Sequence, residues 1–125
     1  MKRSCLAIAM ALALLMLAAP AGAVEKPHRL TKLDLGVYLA SEFDAATTYH
    51  LLQNCGGRCY EANPMVRRFA GNPGVFVALG ASAYAVNYFA RRLDNRGHHG
   101  WAKALRLFAI GAHVGAGAQA LALAR

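Results

Sequence analysis

The sequence predicts an all-α protein: a small three-helix, membrane-associated bundle, with a polar first helix and an apolar helical hairpin, after an N-terminal signal segment. Three observations predict it. Of the 125 residues, 57% are hydrophobic and only 16% charged, with a further 12 glycines, which is greasier than an ordinary soluble domain. Apolar residues recur at helical intervals in long segments. Asn-Pro pairs and glycines punctuate the connections between them.

The N-terminus explains part of the apolar excess. Lys2 and Arg3 form a basic start, Leu6 to Leu17 is an unbroken apolar core, and Pro20 interrupts it. Ala21-Gly22-Ala23 then has the small-x-small form that signal peptidase prefers, so residues 1–23 read as a signal peptide. Cys5 precedes the apolar core and is not placed as a lipoprotein cysteine would be. Cleavage after Ala23 leaves 102 of the 125 residues and, with Lys2 and Arg3 removed, a net charge of +6 in place of +8. An uncleaved anchor is the competing reading, although the run is short for a bilayer.

Residues 24–125 read as one helical domain, with helices over 33–53, 73–93 and 101–124 and a corner with a short helix over 54–72. In the first helix, Leu35, Leu39, Phe43 and Ala46 form an apolar stripe, while Ser41, Asp44 and Thr48 share a different face. With Asp34, Glu42, Asp44 and His50 inside it, this helix is expensive to place among lipid tails and needs protein partners, water or an interfacial position. The second is uncharged from Pro73 to Ala90, 18 residues that extend about 27 Å as a helix. The third holds Gly111 and Gly115 in G-x-x-x-G spacing, with Ala112, Ala116 and Ala120 beside them, a track that lets helices approach closely inside a bilayer. Ala-rich soluble helices would have similar lengths.

Between the first two helices lies CGGRCYEANPM, Cys55 to Met65. Gly56-Gly57 suits the end of a helix, and Asn63-Pro64 and Asn72-Pro73 each place a capping side chain before a proline at a first helical position. Most of the stretch is punctuation. Cys55 and Cys59 go beyond it: on the outer side of a membrane, in an oxidising compartment, they predict a small disulfide staple. C-x-x-x-C is neither the C-x-x-C of redox enzymes nor C-x-x-C-H of haem attachment, and zinc would need two further ligands.

The charge pattern orients the chain. Arg91, Arg92, Arg96, Lys103 and Arg106 stand against one acid, Asp94, which marks the 91–106 segment as the cytoplasmic loop and puts Cys55 to Asn72 on the periplasmic side of a bacterial inner membrane. A cleaved signal peptide then leaves the first helix lying along the outer surface; otherwise the N-terminal segment is not a working signal. The basic residues sit in short clusters without interleaved aromatics, so no nucleic-acid partner is predicted.

Asp44-Ala-Ala-Thr47-Thr48, followed by Glu61-Ala-Asn63-Pro64 and then two apolar helices, resembles an uncharacterised family of small bacterial membrane proteins with D-x-x-[ST]-T and E-x-N-P motifs. The resemblance covers about Leu35 to the C-terminus. It implies a first helix that crosses from inside to outside, and it implies no activity.

Two roles are open to the motif residues Asp44, Thr47, Thr48, Glu61, Asn63 and Pro64. In the structural one, Asp44 or Thr48 bonds the exposed N–H groups ahead of Pro64 and locks the first helix to the start of the second. In the functional one, Asp44 and Glu61, with His50 or His113, surround a pocket for a cation, a proton or a small polar ligand. His113 sits among Gly and Ala, where a neutral imidazole bonded across helices is the bland alternative. Ser41 and Ser82 lie in no G-x-S-x-G, and no H-E-x-x-H is present, so no catalytic constellation, metal site or cofactor is predicted. The leading expectation is a structural or interaction role in the membrane, with lipid as one partner and homo- or hetero-association through Gly111 and Gly115. Ligand binding centred on Asp44 and Glu61 is the alternative, and a soluble periplasmic helical bundle is the third.

Overall fold

The structure, a computed structural model, describes residues 29–55, 58, 59, 61, 64 and 66–124. The signal segment and Asn63 lie outside the described residues. All the regular structure within them is helical: α1 (Lys32–Asn54), the single turn α2 (Arg67–Ala70), α3 (Gly74–Asn95) and α4 (His99–Leu123).

Local chemistry sets each boundary. Thr31 and Asp34 form a reciprocal capping box, in which Thr31 Oγ1 accepts from the Asp34 N–H at 3.1 Å and Asp34 Oδ2 accepts from the Thr31 N–H at 2.9 Å. At the start of α3 the Asn72 side chain accepts from the Gly74 N–H at 2.8 Å, the cap that Asn72-Pro73 predicts, with the first helical residue one position later. Gly97, at φ 83°, ends α3: its N–H donates to Asp94 O at 3.0 Å and the His98 N–H donates to Leu93 O at 2.9 Å. This paired closure needs a left-handed residue, which glycine adopts without steric cost.

α1, α3 and α4 pack pairwise as a three-helix bundle, with α1 against both others. Contacts between residues distant in sequence give the directions. Asp34 meets Asn87 and Arg106 at one end, and Ser41 Oγ donates to Leu79 O at 2.8 Å further along. α1 therefore runs antiparallel to α3 and parallel to α4. The polar first helix is thus part of the bundle, bonded to both neighbours along its length, as the expected three-helix arrangement requires.

The polarity of the bundle is inverted. Its buried apolar side chains are mostly small, in two clusters, one around Val37, Ala83 and Ala109 and one around Ala45, Val75 and Leu79. Buried with them are Asp34, Ser41, Asp44, Thr47, Thr48, Asn87 and Arg106. The apolar stripe of α1 faces out instead: Leu39 is 63% exposed, and on α4 Phe108 is 75% exposed. A soluble amphipathic helix does the reverse.

Among the described residues no helix is long and apolar enough to cross a membrane, so the apolar hairpin is not seen as such. α3 and α4 carry Asn87, Arg106, His113 and Gln119 among their apolar residues. The Gly111–Gly115 track is open within the chain, since a Cβ at either position would find nothing within 4 Å. Close approach occurs at Gly117, where a Cβ would stand 2.5 Å from the Phe43 ring and 3.0 Å from Thr47 Oγ1.

Gly97→Ala forces a Cβ into the left-handed region. The expected cost is about 1 kcal/mol of unfolding free energy, read as a lower denaturant midpoint with unchanged slope.

Candidate functional site

Two polar constellations cross the bundle. The first lies at the end where α1 and α4 begin and α3 ends. Arg106, on the inward stripe of α4 and 3% exposed, donates from Nε to Asp34 Oδ1 at 2.8 Å and from Nη1 to Asp94 Oδ2 at 2.8 Å. Asn87 Nδ2 donates to the Asp34 carbonyl at 3.0 Å, and His99 Nδ1 lies 3.1 Å from Asp94 Oδ1. One guanidinium thus ties the carboxylates of α1 and α3 to α4. Burial by itself would raise the Asp94 pKa, but hydrogen bonds from Arg106 and His99 outweigh it and hold this carboxyl below its usual range. Asn87 Oδ1, Arg91 Nε and Arg106 Nη2 are buried without a hydrogen-bond partner, so the knot is paired in charge but not saturated.

The second lies in the other half. Asp44, inward on α1, has Oδ2 2.8 Å from His113 Nδ1 on α4, and Thr48 Oγ1 donates to Asp44 Oδ1 at 3.4 Å. A carboxylate at this distance accepts a hydrogen bond from the Nδ1–H, which orients the ring. This pair lies on the wall of a cavity of about 650 Å³. Thr48, Glu61, Ser82 and Gln119 supply its other polar lining, and Leu51, Leu79, Phe69 and Leu123 are among its apolar walls. Pockets of this size and mixed character hold small ligands. Asp44 and His113 come from the two parallel helices, Ser82 from α3 and Glu61 from the corner.

The motif residues divide. Asp44, Thr48 and Glu61 are brought to the cavity, and His113 joins them. Thr47 is turned to its own helix and donates to Phe43 O at 2.9 Å and Asp44 O at 3.1 Å. Pro64 is exposed and does not line the cavity, and His50 is exposed and bonded to Asn54. The N–H groups ahead of Pro64, onto which a lock is predicted, lie outside the described residues; within them Asp44 is bonded to His113. The corner is held by other means: Arg67 Nε donates to Glu61 O at 2.8 Å, and Gln53 Nε2 donates to Gly71 O at 3.1 Å.

The predicted disulfide is not formed. No disulfide joins Cys55 and Cys59, and a hydrogen bond with Cys55 is the main cause that pushes the Cys59 thiol above its usual pKa. Among the described residues no group of three or more His, Cys, Asp or Glu side chains converges to hold a metal ion. Ser82 lines the cavity, but no hydrogen bond joins it to His113, so the nucleophile–base geometry of a hydrolase is not built. The arrangement can hold a proton, a cation or a hydrogen-bonding group. Comparison with protein-family models, curated proteins and solved structures finds no match for this chain.

Sequence reasoning counted Arg106 among the charges of a connecting loop, and here it is the most buried of the cations. Its register was the available signal. Ala102, Arg106, Ala109, His113, Gly117 and Ala120 fall at intervals of four, three, four, four and three, one continuous face.

Arg106→Met strands Asp34 as an uncompensated buried charge. The expected loss is about 3–5 kcal/mol by denaturant unfolding, and Arg106→Lys restores only part because an ammonium lacks the fork that reaches both carboxylates. The lowered Asp94 pKa contributes stability that is present above its unfolded value and lost as pH falls through the folded one. Stability measured from pH 6 down to 3 should therefore fall below about pH 4, and fall less steeply in Asp94→Asn.

Proposed function

We propose that this protein is a membrane-embedded binding protein of the bacterial envelope, with a cavity at Asp44, Glu61 and His113 for a small polar or cationic ligand. The observation that supports it is the inverted polarity. Ionisable side chains are gathered and paired inside, at the edge of a cavity, while Leu35, Leu39, Leu107 and Phe108 face outward. In water such an exterior is an aggregation liability; in lipid it is the stable arrangement. Mean hydropathy counts every residue of a helix alike, so Asp34, Asp44, Asn87, Arg106 and His113 depress it although they face one another. Pairing inside the bundle offsets the cost that these groups would carry one helix at a time.

The binding role rests on Asp44. A carboxylate oriented by an imidazole on the wall of a cavity is placed to receive a cation or to exchange a proton with a bound group. A second reading, association with another helix, is favoured by the open Gly111 and Gly115, beside which a side chain of a partner has room.

The expected outcome is that the chain stays in the membrane pellet after osmotic shock and alkaline carbonate washing. Release into the supernatant would support the soluble bundle instead. In thermal-shift and calorimetric screens of small cations and amines, a ligand that stabilises the wild type should lose at least tenfold in affinity with Asp44→Asn; equal responses would remove Asp44 from binding. Gly111→Leu with Gly115→Leu should lower the mass of a mildly solubilised complex if the second reading holds.

A further inference from the structure

Three features fall outside the cavity: the thiols of Cys55 and Cys59, the open glycine track, and the end of the bundle around the α3–α4 turn. The last carries most. Arg96 and His98 occupy the turn, and Trp101 and Lys103 follow in the first turns of α4. The pairing of Asp34 with Arg106 brings the start of α1, with Lys32, to the same end. Lys32, Arg96, His98, Trp101 and Lys103 are all exposed, and Trp101 is 73% exposed.

The acids of this end are already used. Asp34 and Asp94, the acidic residues here among those described, both bind Arg106, and Asp94 also faces His99. The outward cations are therefore left as a surplus of one sign. Immediately beyond them the exterior turns apolar, with Leu35 on α1 and Leu107 and Phe108 on α4. Cations and an indole share this end, with an apolar shoulder beyond them along the helices, and together they match a bilayer with anionic headgroups: phosphate and the ester region that indole prefers at the rim, then acyl chains.

We infer that the rim of Lys32, Arg96 and Lys103 around Trp101 is a binding surface for anionic phospholipid headgroups, and that it fixes the bundle's depth in the membrane. The inference rests on the membrane-embedded reading. Lipid is the occupant the charge favours, since the surplus is of one sign and large apolar side chains are exposed on both α1 and α4 next to it.

Trp101 is the chain's one tryptophan, which makes it a direct reporter. The protein is reconstituted in vesicles of equal phosphatidylcholine and phosphatidylglycerol, with bromine on the acyl chains of one lipid or the other, and Trp101 fluorescence is read. Brominated phosphatidylglycerol should quench about twice as strongly as brominated phosphatidylcholine. That preference should vanish in about 0.5 M salt, which screens surface charge. It should also vanish in Arg96→Gln with Lys103→Gln, while Arg68→Gln at the opposite end leaves it intact. Equal quenching by both lipids would overturn the headgroup inference and leave the membrane reading standing. No quenching by either would overturn both. Loss of the preference in Arg68→Gln as well would overturn the assignment to this rim, since the response would then follow total charge.

Discussion

The fold depends on a guanidinium placed where three helices meet. Arg106 is buried, and it stays charged in any environment a protein offers, so its neighbours must supply opposite charge or the bundle does not close. Asp34 and Asp94 supply it from α1 and α3. Satisfying both carboxylates with one planar fork fixes the register of α1 against α4 and the distance at which α3 can turn back through Gly97. A buried ion pair gives little net stability over apolar packing, but it is selective, because a helix slipped by one turn leaves charges unpaired.

That register also builds the cavity. Asp34 and Asp44 are separated by ten residues on α1, and Arg106 and His113 by seven on α4. Both pairs close across parallel helices, one tightly among small residues and the other beside an open space. The interior near Val37, Ala83 and Ala109 is filled with small side chains, whereas beyond Asp44 the walls separate and the corner covers them. The buried ion pairs and the proposed binding site thus fall to opposite halves of one polar stripe. The Arg106 knot holds the helices so that Asp44 and His113 need not, which leaves them suited to exchange partners.

Much of this was legible in the sequence, and what was missed has physical causes. Helix identities, the single turn in the corner and the Asn72-Pro73 start follow from local propensity and capping, which act within a few residues. The T-x-x-D capping box at Thr31 was equally local and went unread. Grouping Asp44 and Thr48 on one face was correct, and so was their separation from the Leu35, Leu39 and Phe43 stripe. Which face points inward is not a local property: it depends on what covers the outside, and periodicity marks two faces without naming the core. Arg106 was misplaced for the same reason, since a cation beside Lys103 and Arg96 looks like a loop charge until Asp34, 72 positions away, is brought to it. Gly111 and Gly115 stay open on the outside of the bundle, and Gly117 takes the close contact with α1.

The central claim is the inversion itself: polar groups within, apolar surface outward and covered by lipid. Spin labels report it directly, placed one at a time at Leu39 and Phe108 and, for comparison, at Arg96, in a chain carrying Cys5→Ser, Cys55→Ser and Cys59→Ser and reconstituted in vesicles. The account predicts that labels at positions 39 and 108 relax strongly with oxygen and weakly with a water-soluble nickel complex, with the reverse at 96. Labels at 39 and 108 that respond to the nickel complex as strongly as the label at 96 would place that surface in water and contradict the account.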